Sequence, residues 1–170
     1  MTQADATGFR AFFGEIPTAV AVATTADPES RPLGFTCNAF SAVSPEPPLL
    51  PVCAGNASRT LPALLLRGAF AVRLLAEDGE RVAGVFAGRG PDTFQGLPWR
   101  PARTVPGVPV LEEGVPAHTE CTLARSVEVA DHTLLVGRTE SLRVHPRRPA
   151  LHQRGSFRAW PHAAEEGVRA

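Results

Sequence analysis

The chain has 170 residues, which fits one domain of ordinary size, and its 44% hydrophobic and 20% charged residues exclude a disordered chain. Basic and acidic residues number 17 each, so the formal charge of zero gives no electrostatic attraction to nucleic acid or to an anionic membrane surface. The 17 prolines and 15 glycines are too many for a helix bundle and suit a β-rich chain with many turns.

In chain order, the first half predicts a short helix, three strands and a second helix. Phe9, Phe12 and Phe13 share one helical face before Pro17 ends the first helix. Pro51 lies inside the third strand, so that strand should be an edge strand or be bulged there. The predicted segments are a helix at 7–14, strands at 18–26, 31–44 and 49–54, and a helix at 58–68 with Ser58 as N-cap and Gly68 as its end.

The segment 31–44 alternates between two faces. One face carries Leu33, Phe35, Cys37 and Ala39, and the other carries Gly34, Thr36, Asn38 and Phe40. Polar residues on a strand face often meet only solvent, but they also line ligand clefts. Thr36 and Asn38 are therefore candidate ligand contacts.

The second half predicts a strand, a helix, a loop and a long hairpin. These are a strand at 70–76, a helix at 77–88, a long ordered loop at 89–109, and strands at 117–129 and 133–144 joined by a turn at Ala130–Asp131. All segments together predict a mainly β (α+β) fold, an antiparallel barrel or partly open barrel with two or three short helices. No repeat or linker divides the chain, so we expect a single domain over residues 1–170.

The cysteines and the N-terminus indicate the compartment. Cys37, Cys53 and Cys121 are isolated in sequence, which favours free thiols in a reducing compartment over a zinc site or a disulfide framework. The first ten residues lack the apolar run of a signal peptide, and no apolar stretch reaches membrane-spanning length. We therefore expect a cytoplasmic protein with no metal site, no membrane contact and no nucleic-acid partner.

Several catalytic motifs are absent. The chain contains neither lysine nor tyrosine, which excludes Schiff-base catalysis, a P-loop lysine and a phenolic general acid. It also lacks a G-x-G-x-x-G after a strand, a G-x-S-x-G elbow and an H-E-x-x-H pair. Neighbouring residues of a strand point to opposite faces, so Asp131 and His132 are predicted to make a poor dyad.

Five segments in a fixed order carry the most specific signal. They are PTAVAVATT at 17–25, RPLGFTCNAFSAVSPEPP at 31–48, NASRT at 56–60, FAG with DTF within 86–94, and ADH with LLVG within 130–137. In this order they resemble the flavin reductase-like family, split-barrel proteins that pair with flavin-dependent monooxygenases. The resemblance spans about residues 9–160. Ala39 departs from the family's serine, Ala130 from its glycine, and His152 stands where a tyrosine is common.

The resemblance implies an FMN-binding split barrel and an NAD(P)H:flavin oxidoreductase. Hydride would pass from C4 of NADH or NADPH to N5 of FMN or FAD, a step that needs no acid or base from the protein. A homodimer with flavin near its interface, and release of reduced flavin to a partner monooxygenase, are also implied. Two other interpretations stay open: a diverged tailoring enzyme that acts directly on a natural product, and a non-catalytic flavin- or ligand-binding module.

Site residues follow from the same resemblance. Strand-edge amides and small polar groups suit the edge of a flavin ring, and donors at a helix start suit its phosphate. Apart from the family, Ser58 is equally explained as a helix cap, Phe86 and Phe94 as core residues, and Arg89 as a surface charge. The resemblance places His132 near the nicotinamide as the catalytic residue. The implied cofactor-binding residues are Thr36, Cys37, Asn38, Ala39, Ser44, Ala54, Asn56, Ser58, Arg59, Thr60, Phe86, Gly88, Arg89 and Phe94.

Overall fold

In the described part of the chain, three short helices lie against an antiparallel β structure. The computed structural model describes residues 4–88, 90, 93–112 and 115–159. Asp5 caps the first helix by accepting a hydrogen bond from the Gly8 amide at 2.6 Å. Gly68 ends the second helix in a left-handed conformation with φ of 65°, as its sequence position predicts. The helices are α1 (Ala6–Gly14), α2 (Thr60–Arg67) and α3 (Glu80–Ala87).

The strands form one large antiparallel sheet and two small ones. The large sheet has the order β3-β2-β6-β9-β10-β5-β4, while β1-β11-β12 and β7-β8 form the small sheets. The strands are β1 (Thr18–Ala19), β2 (Ala21–Ala26), β3 (Pro32–Cys37), β4 (Ser44–Pro45), β5 (Pro48–Gly55), β6 (Ala69–Leu74), β7 (Trp99–Pro101), β8 (Pro109–Leu111), β9 (Ala117–Val129), β10 (His132–Val144), β11 (Ala150–Gln153) and β12 (Ser156–Ala159).

The large sheet closes on itself through the residues that follow β3. Phe40 forms a backbone bridge with Val52 of β5, and the Cys53 amide donates to the Ala39 carbonyl at 3.0 Å. The two sides of the curled sheet therefore meet over only a few residues. This arrangement is a partly open antiparallel barrel with three helices, and it confirms the predicted fold class.

Three apolar clusters fill the interior of the described structure, and the two larger ones lie inside the barrel and under α3. Phe70, Leu64 and Leu135 belong to the cluster inside the barrel, and all three are fully buried. In the second cluster, under α3, the Phe86 and Phe94 rings meet edge to face with centroids 5.1 Å apart. Each fully buried large side chain stabilises the fold by about 1.5–3 kcal/mol, so α3 is held firmly beside β3.

The ends of several predicted elements are wrong. β3 stops at Cys37 instead of residue 44, because the chain then leaves β2 to reach β5. α2 begins at Thr60 with Arg59 as its N-cap, since the amide of Ser58 donates to the Gly55 carbonyl in a preceding turn. α3 begins at Glu80, later than the predicted residue 77.

The predicted loop at 89–109 is also wrong in part, because it contains most of a small hairpin made by β7 and β8. Glu120 of β9 anchors the link between these strands. Its buried carboxylate accepts from the Arg103 amide at 2.9 Å and from the amide and hydroxyl of Thr104 at 2.7 and 2.6 Å. The Glu120 carboxylate, 16 residues after Thr104, thus orders a segment whose own sequence predicts a loop.

The long predicted hairpin is confirmed as β9 and β10. Its turn places Ala130 in the left-handed region with φ of 52°, a conformation that costs a non-glycine residue energy. Pro51 of β5 pairs with Val136 of β10, and among the described residues no strand pairs with it on the other side, as expected for an edge position. Within the described part of the chain, no helix has both the length and the apolar character needed to cross a membrane.

Candidate functional site

Two adjoining cavities lie between β3, the start of α2 and the end of α3. Their volumes are about 510 and 220 Å³. Thr36 and Ala87 line both cavities, so the two spaces form one continuous cleft. We call it the α2–α3 cleft, with a larger end beside Ser58 and a smaller end beside Asn38.

The larger end presents hydrogen-bond donors at the start of α2. Arg59, the N-cap, makes no side-chain capping bond, and the first turn of α2 holds no acidic residue, so no carboxylate of that turn neutralises the positive end of the helix dipole. Ser58 Oγ accepts from the Thr60 amide at 3.3 Å, which leaves the serine hydroxyl hydrogen free to donate to a ligand. This end is suited to an anion.

Two threonine hydroxyls brace the cleft. The Thr36 hydroxyl donates to the Ala83 carbonyl of α3 at 2.7 Å, and the Thr60 hydroxyl donates to the Gly34 carbonyl of β3 at 3.1 Å. Each hydroxyl hydrogen is therefore already used within the protein. Thr36 and Thr60 hold the two helices against β3, a role that their sequence positions did not indicate.

Glycines set the width of the larger end. A Cβ on Gly34 would lie 2.8 Å from the Phe86 ring, so only glycine lets that ring pack against β3. A Cβ on Gly55 would meet only the His132 ring, at 3.8 Å. Gly88 ends α3 at the cleft, and the Arg59 guanidinium donates to the Gly90 carbonyl nearby. Arg89 lies outside the described residues.

The smaller end is mainly apolar, and Asn38 and His152 are its polar side chains besides the shared Thr36. Asn38 donates to the Thr18 hydroxyl at 3.1 Å, and His152 packs against Phe157 with ring centroids 5.5 Å apart. Burial raises the pKa of the Cys37 thiol to about 12, so Cys37 lines this end as a neutral group. His152 was not among the predicted site residues, although its departure from the family pattern was a visible signal.

The turn after β5 is fixed by hydrogen bonds to the β9–β10 hairpin. Asn56 Nδ2 donates to the Ala130 carbonyl at 3.1 Å, and Asn56 Oδ1 accepts from the Thr133 hydroxyl at 2.8 Å. The side chain of Ala54 is fully buried, and the carbonyl of Ala39 accepts a hydrogen bond from the Cys53 amide. Asn56 thus positions the turn that leads to Ser58.

The prediction that Asp131 and His132 make a poor dyad is wrong. Nδ1 of His132 lies 2.8 Å from Oδ1 of Asp131, because Asp131 belongs to the tight turn and not to the strand. Hydrogen bonding and charge from His132 hold the pKa of the Asp131 carboxyl below its usual value. In the β5–β10 register His132 pairs with Gly55, so the histidine stands beside the larger end of the cleft.

Three predicted residues lie elsewhere or in the core. Phe86 is buried at the wall of the larger end, and Phe94 packs on it from a neighbouring cavity. Ser44 lines a separate apolar cavity of about 400 Å³ with Leu142 and Val144. Within one chain, the structure therefore brings together Thr36, Cys37, Asn38, Ser58, Arg59, Thr60, Phe86 and Gly88 around the cleft, and it does not bring Ser44 to them.

The donor set fits a flat heterocycle that carries a phosphate. A helix start, a free serine hydroxyl and an arginine gather at the larger end, and an apolar space with an amide and an imidazole forms the smaller end. The internal hydrogen bonds of Thr36 and Thr60 keep this shape without a ligand. The cleft is thus preorganised for such a molecule.

Comparison with known proteins gives a consistent result. Residues 13–161 match the family model described as the flavin reductase like domain. A flavin reductase (NADH) from Kitasatospora aureofaciens is 40% identical over 159 residues, which are 92% of this chain and 83% of that protein. The reductase subunit HsaB of a flavin-dependent monooxygenase from Mycobacterium tuberculosis is 37% identical over 158 residues, or 91% and 82% of the two chains.

A solved structure shares the fold at comparable identity. It is the NADH:FAD oxidoreductase SgcE6 of Streptomyces globisporus C-1027 in complex with NAD and FAD fragments. The alignment has a TM-score of 0.87 and 33% identity, and it covers 94% of this chain and 96% of the other.

Proposed function

The chain belongs to the flavin reductase-like family, and on that premise we propose that the α2–α3 cleft is where it binds flavin. The protein is an NAD(P)H-dependent flavin reductase that reduces FMN or FAD. The single observation that carries the assignment of the cleft is the free hydroxyl hydrogen of Ser58 at the start of α2, whose first turn holds no carboxylate. The flavin, when bound, supplies the hydride-accepting chemistry.

We place the flavin phosphate at the larger end of the cleft. The Ser58 hydroxyl donates to a phosphate oxygen, the positive end of the α2 dipole favours the negative charge, and Arg59 adds a positive charge. Thr60 and Thr36 act as positioning residues, because their hydroxyls bind carbonyls of β3 and α3. Of the two hydroxyls predicted to contact the phosphate in the 56–60 segment, we propose that Ser58 contacts it and that Thr60 holds α2 against β3.

We place the ring system along β3, toward the smaller end. Cys37 and Asn38 flank it, and the closely packed Phe86 keeps water from the wall behind it. His132 is held by Asp131 on the far side of Gly55. Its proposed role is to contact the nicotinamide donor, which requires orientation and no proton transfer at the reacting carbon.

We propose that two copies pair through the apolar cavity around Ser44. Leu142 and Val144 are 68% and 73% exposed there, and Phe40, just after β3, lines the same cavity. Pairing on this surface joins each flavin cleft to the interface through the residues 37–40. The reduced flavin then leaves for a separate monooxygenase, as the reductase subunits among the relatives suggest.

The decisive experiment measures flavin binding and turnover for Ser58→Ala. We expect the flavin Kd to rise about tenfold, as for the loss of one hydrogen bond to a charged group, while the lost bond from the Thr60 amide lowers the free energy of unfolding by only about 0.5–1 kcal/mol. Ser126→Ala, on the exposed part of β9, is the matched control and should bind like the wild type. A Kd that does not change in Ser58→Ala contradicts the placement of the phosphate.

A further inference from the structure

A third and larger cavity continues the cleft beyond the start of α2. Its volume is about 940 Å³, and it shares Leu33, Arg59 and Thr93 with the larger end. The Arg59 guanidinium, held by the Gly90 carbonyl, stands at this junction. A ligand whose phosphate lies at Ser58 therefore has the third cavity next to it, on the other side of Arg59.

The walls of this cavity suit a purine nucleoside. Pro28, Pro32 and Pro62 give flat apolar surfaces, and Leu66 and Phe94 add to them. Gln95 provides an amide that can both donate and accept, as the edge of an adenine ring requires.

The cavity carries no excess negative charge that would repel a nucleotide. Its charged lining residues are Asp27, Glu29, Arg31 and Arg59, and their formal charges cancel. The Arg31 guanidinium binds Asp27 at 2.6 Å and Glu29 at 3.2 Å, so both carboxylates are already paired. Arg59 keeps its position at the junction for a second phosphate.

We propose that this cavity takes the adenosine monophosphate half of FAD, so that the enzyme prefers the dinucleotide to FMN. This inference rests on the proposed flavin site. FAD differs from FMN by an added AMP joined through a diphosphate, and the diphosphate would lie at Arg59, between the two cavities. A mononucleotide leaves the third cavity empty and gains nothing from it.

The adenosine half of NADH is the competing occupant, and the test separates the two. In Leu66→Glu, a carboxylate replaces an exposed leucine at the cavity wall, and both residues are good helix formers. We expect the Kd for FAD to rise about fivefold or more, with the Kd for FMN within about twofold of wild type and the KM for NADH unchanged. Leu65→Glu, one residue earlier on α2 and outside the cavity, is the matched control.

A second measurement needs no variant. Free AMP should compete with FAD for the wild-type protein and should not compete with FMN. The inference is overturned if wild-type protein binds FMN as tightly as FAD, if Leu66→Glu weakens both flavins equally, or if only the KM for NADH rises. A wild-type protein with no NAD(P)H-dependent flavin reduction contradicts the proposed function instead, and this result is distinguishable from the others.

Discussion

The cleft and the surface around Ser44 lie near each other but are built in opposite ways. In the cleft, threonine hydroxyls tie α2 and α3 to β3, and a phenylalanine ring packs on a glycine. Around Ser44, large apolar side chains such as Leu142 and Val144 are exposed and make no such ties. The first region is fixed in shape and keeps polar donors available, whereas the second offers mainly apolar area.

This difference indicates what each region can recognise. A small charged ligand needs a few donors at fixed positions, because a hydrogen bond from a misplaced donor is much weaker. A second protein surface needs apolar area that both partners bury. The free energy of this burial is roughly proportional to the area and depends little on the angles between groups. The cleft thus fits a phosphorylated cofactor, and the apolar surface fits another copy of the chain.

The largest expected effect comes from breaking the packing of the cleft. In Gly34→Ala, the new Cβ would lie 2.8 Å from the buried Phe86 ring and 3.0 Å from the Ala23 carbonyl. We expect the free energy of unfolding to fall by about 1–3 kcal/mol, as in other overpacked sites, with weaker flavin binding. Urea denaturation and flavin fluorescence titration measure the two effects.

Gly84→Ala in α3 is the matched control for this variant. A Cβ at Gly84 meets nothing within 4 Å, so the helix should gain about 0.5–1 kcal/mol of stability. If the two alanine variants shift stability by the same amount and sign, the close packing at Gly34 does not control the cleft.

An intermediate effect comes from placing a charge on the apolar surface. Leu142→Glu should raise the dissociation constant of the dimer at least about tenfold, because a carboxylate would be buried without a partner. Light scattering over a range of concentrations measures this change, and Leu65→Glu on α2 is the control. A monomeric wild-type protein would contradict the proposed dimer surface.

The smallest effect concerns the turn beside the cleft. Because hydrogen bonding by His132 lowers the pKa of Asp131, His132→Ala should raise that pKa toward the ordinary value of 3.8. The interaction stabilises the fold above the ordinary pKa, and its contribution is lost as the pH falls through the lowered folded-state pKa. A carboxyl ¹³C NMR titration measures the change. An identical pKa in both proteins would show that the two side chains do not interact in solution.

Local sequence patterns predicted much of the fold and part of the site. The β9–β10 hairpin follows from β-branched alternation around a short turn, and the end of α2 follows from Gly68. The family-like segments placed Ser58 and Asn38 at the cleft. These features depend on residues that are close in sequence.

The features that the sequence could not predict depend on distant contacts. The hydroxyl of Thr36 is used by a carbonyl 47 residues away, which no local pattern reveals. The Asp131–His132 contact arises because Asp131 lies in the turn, where side chains do not alternate between the two faces of a strand. The extent of the third cavity also depends on packing between β3, α2 and the segment at 93–95.

The carboxylate of Glu120 makes one part of the molecule sensitive to acid. Burial alone would raise the pKa of Glu120, but hydrogen bonds from Thr104 and Arg103 outweigh it and bring the pKa below its usual value of 4.5. The anchoring energy is therefore present above that value and is lost as the pH falls through the folded-state pKa. On acidification the link between β7 and β8 should therefore loosen at residues 103–104 while the barrel still stands, and the amide hydrogens of these two residues should exchange faster.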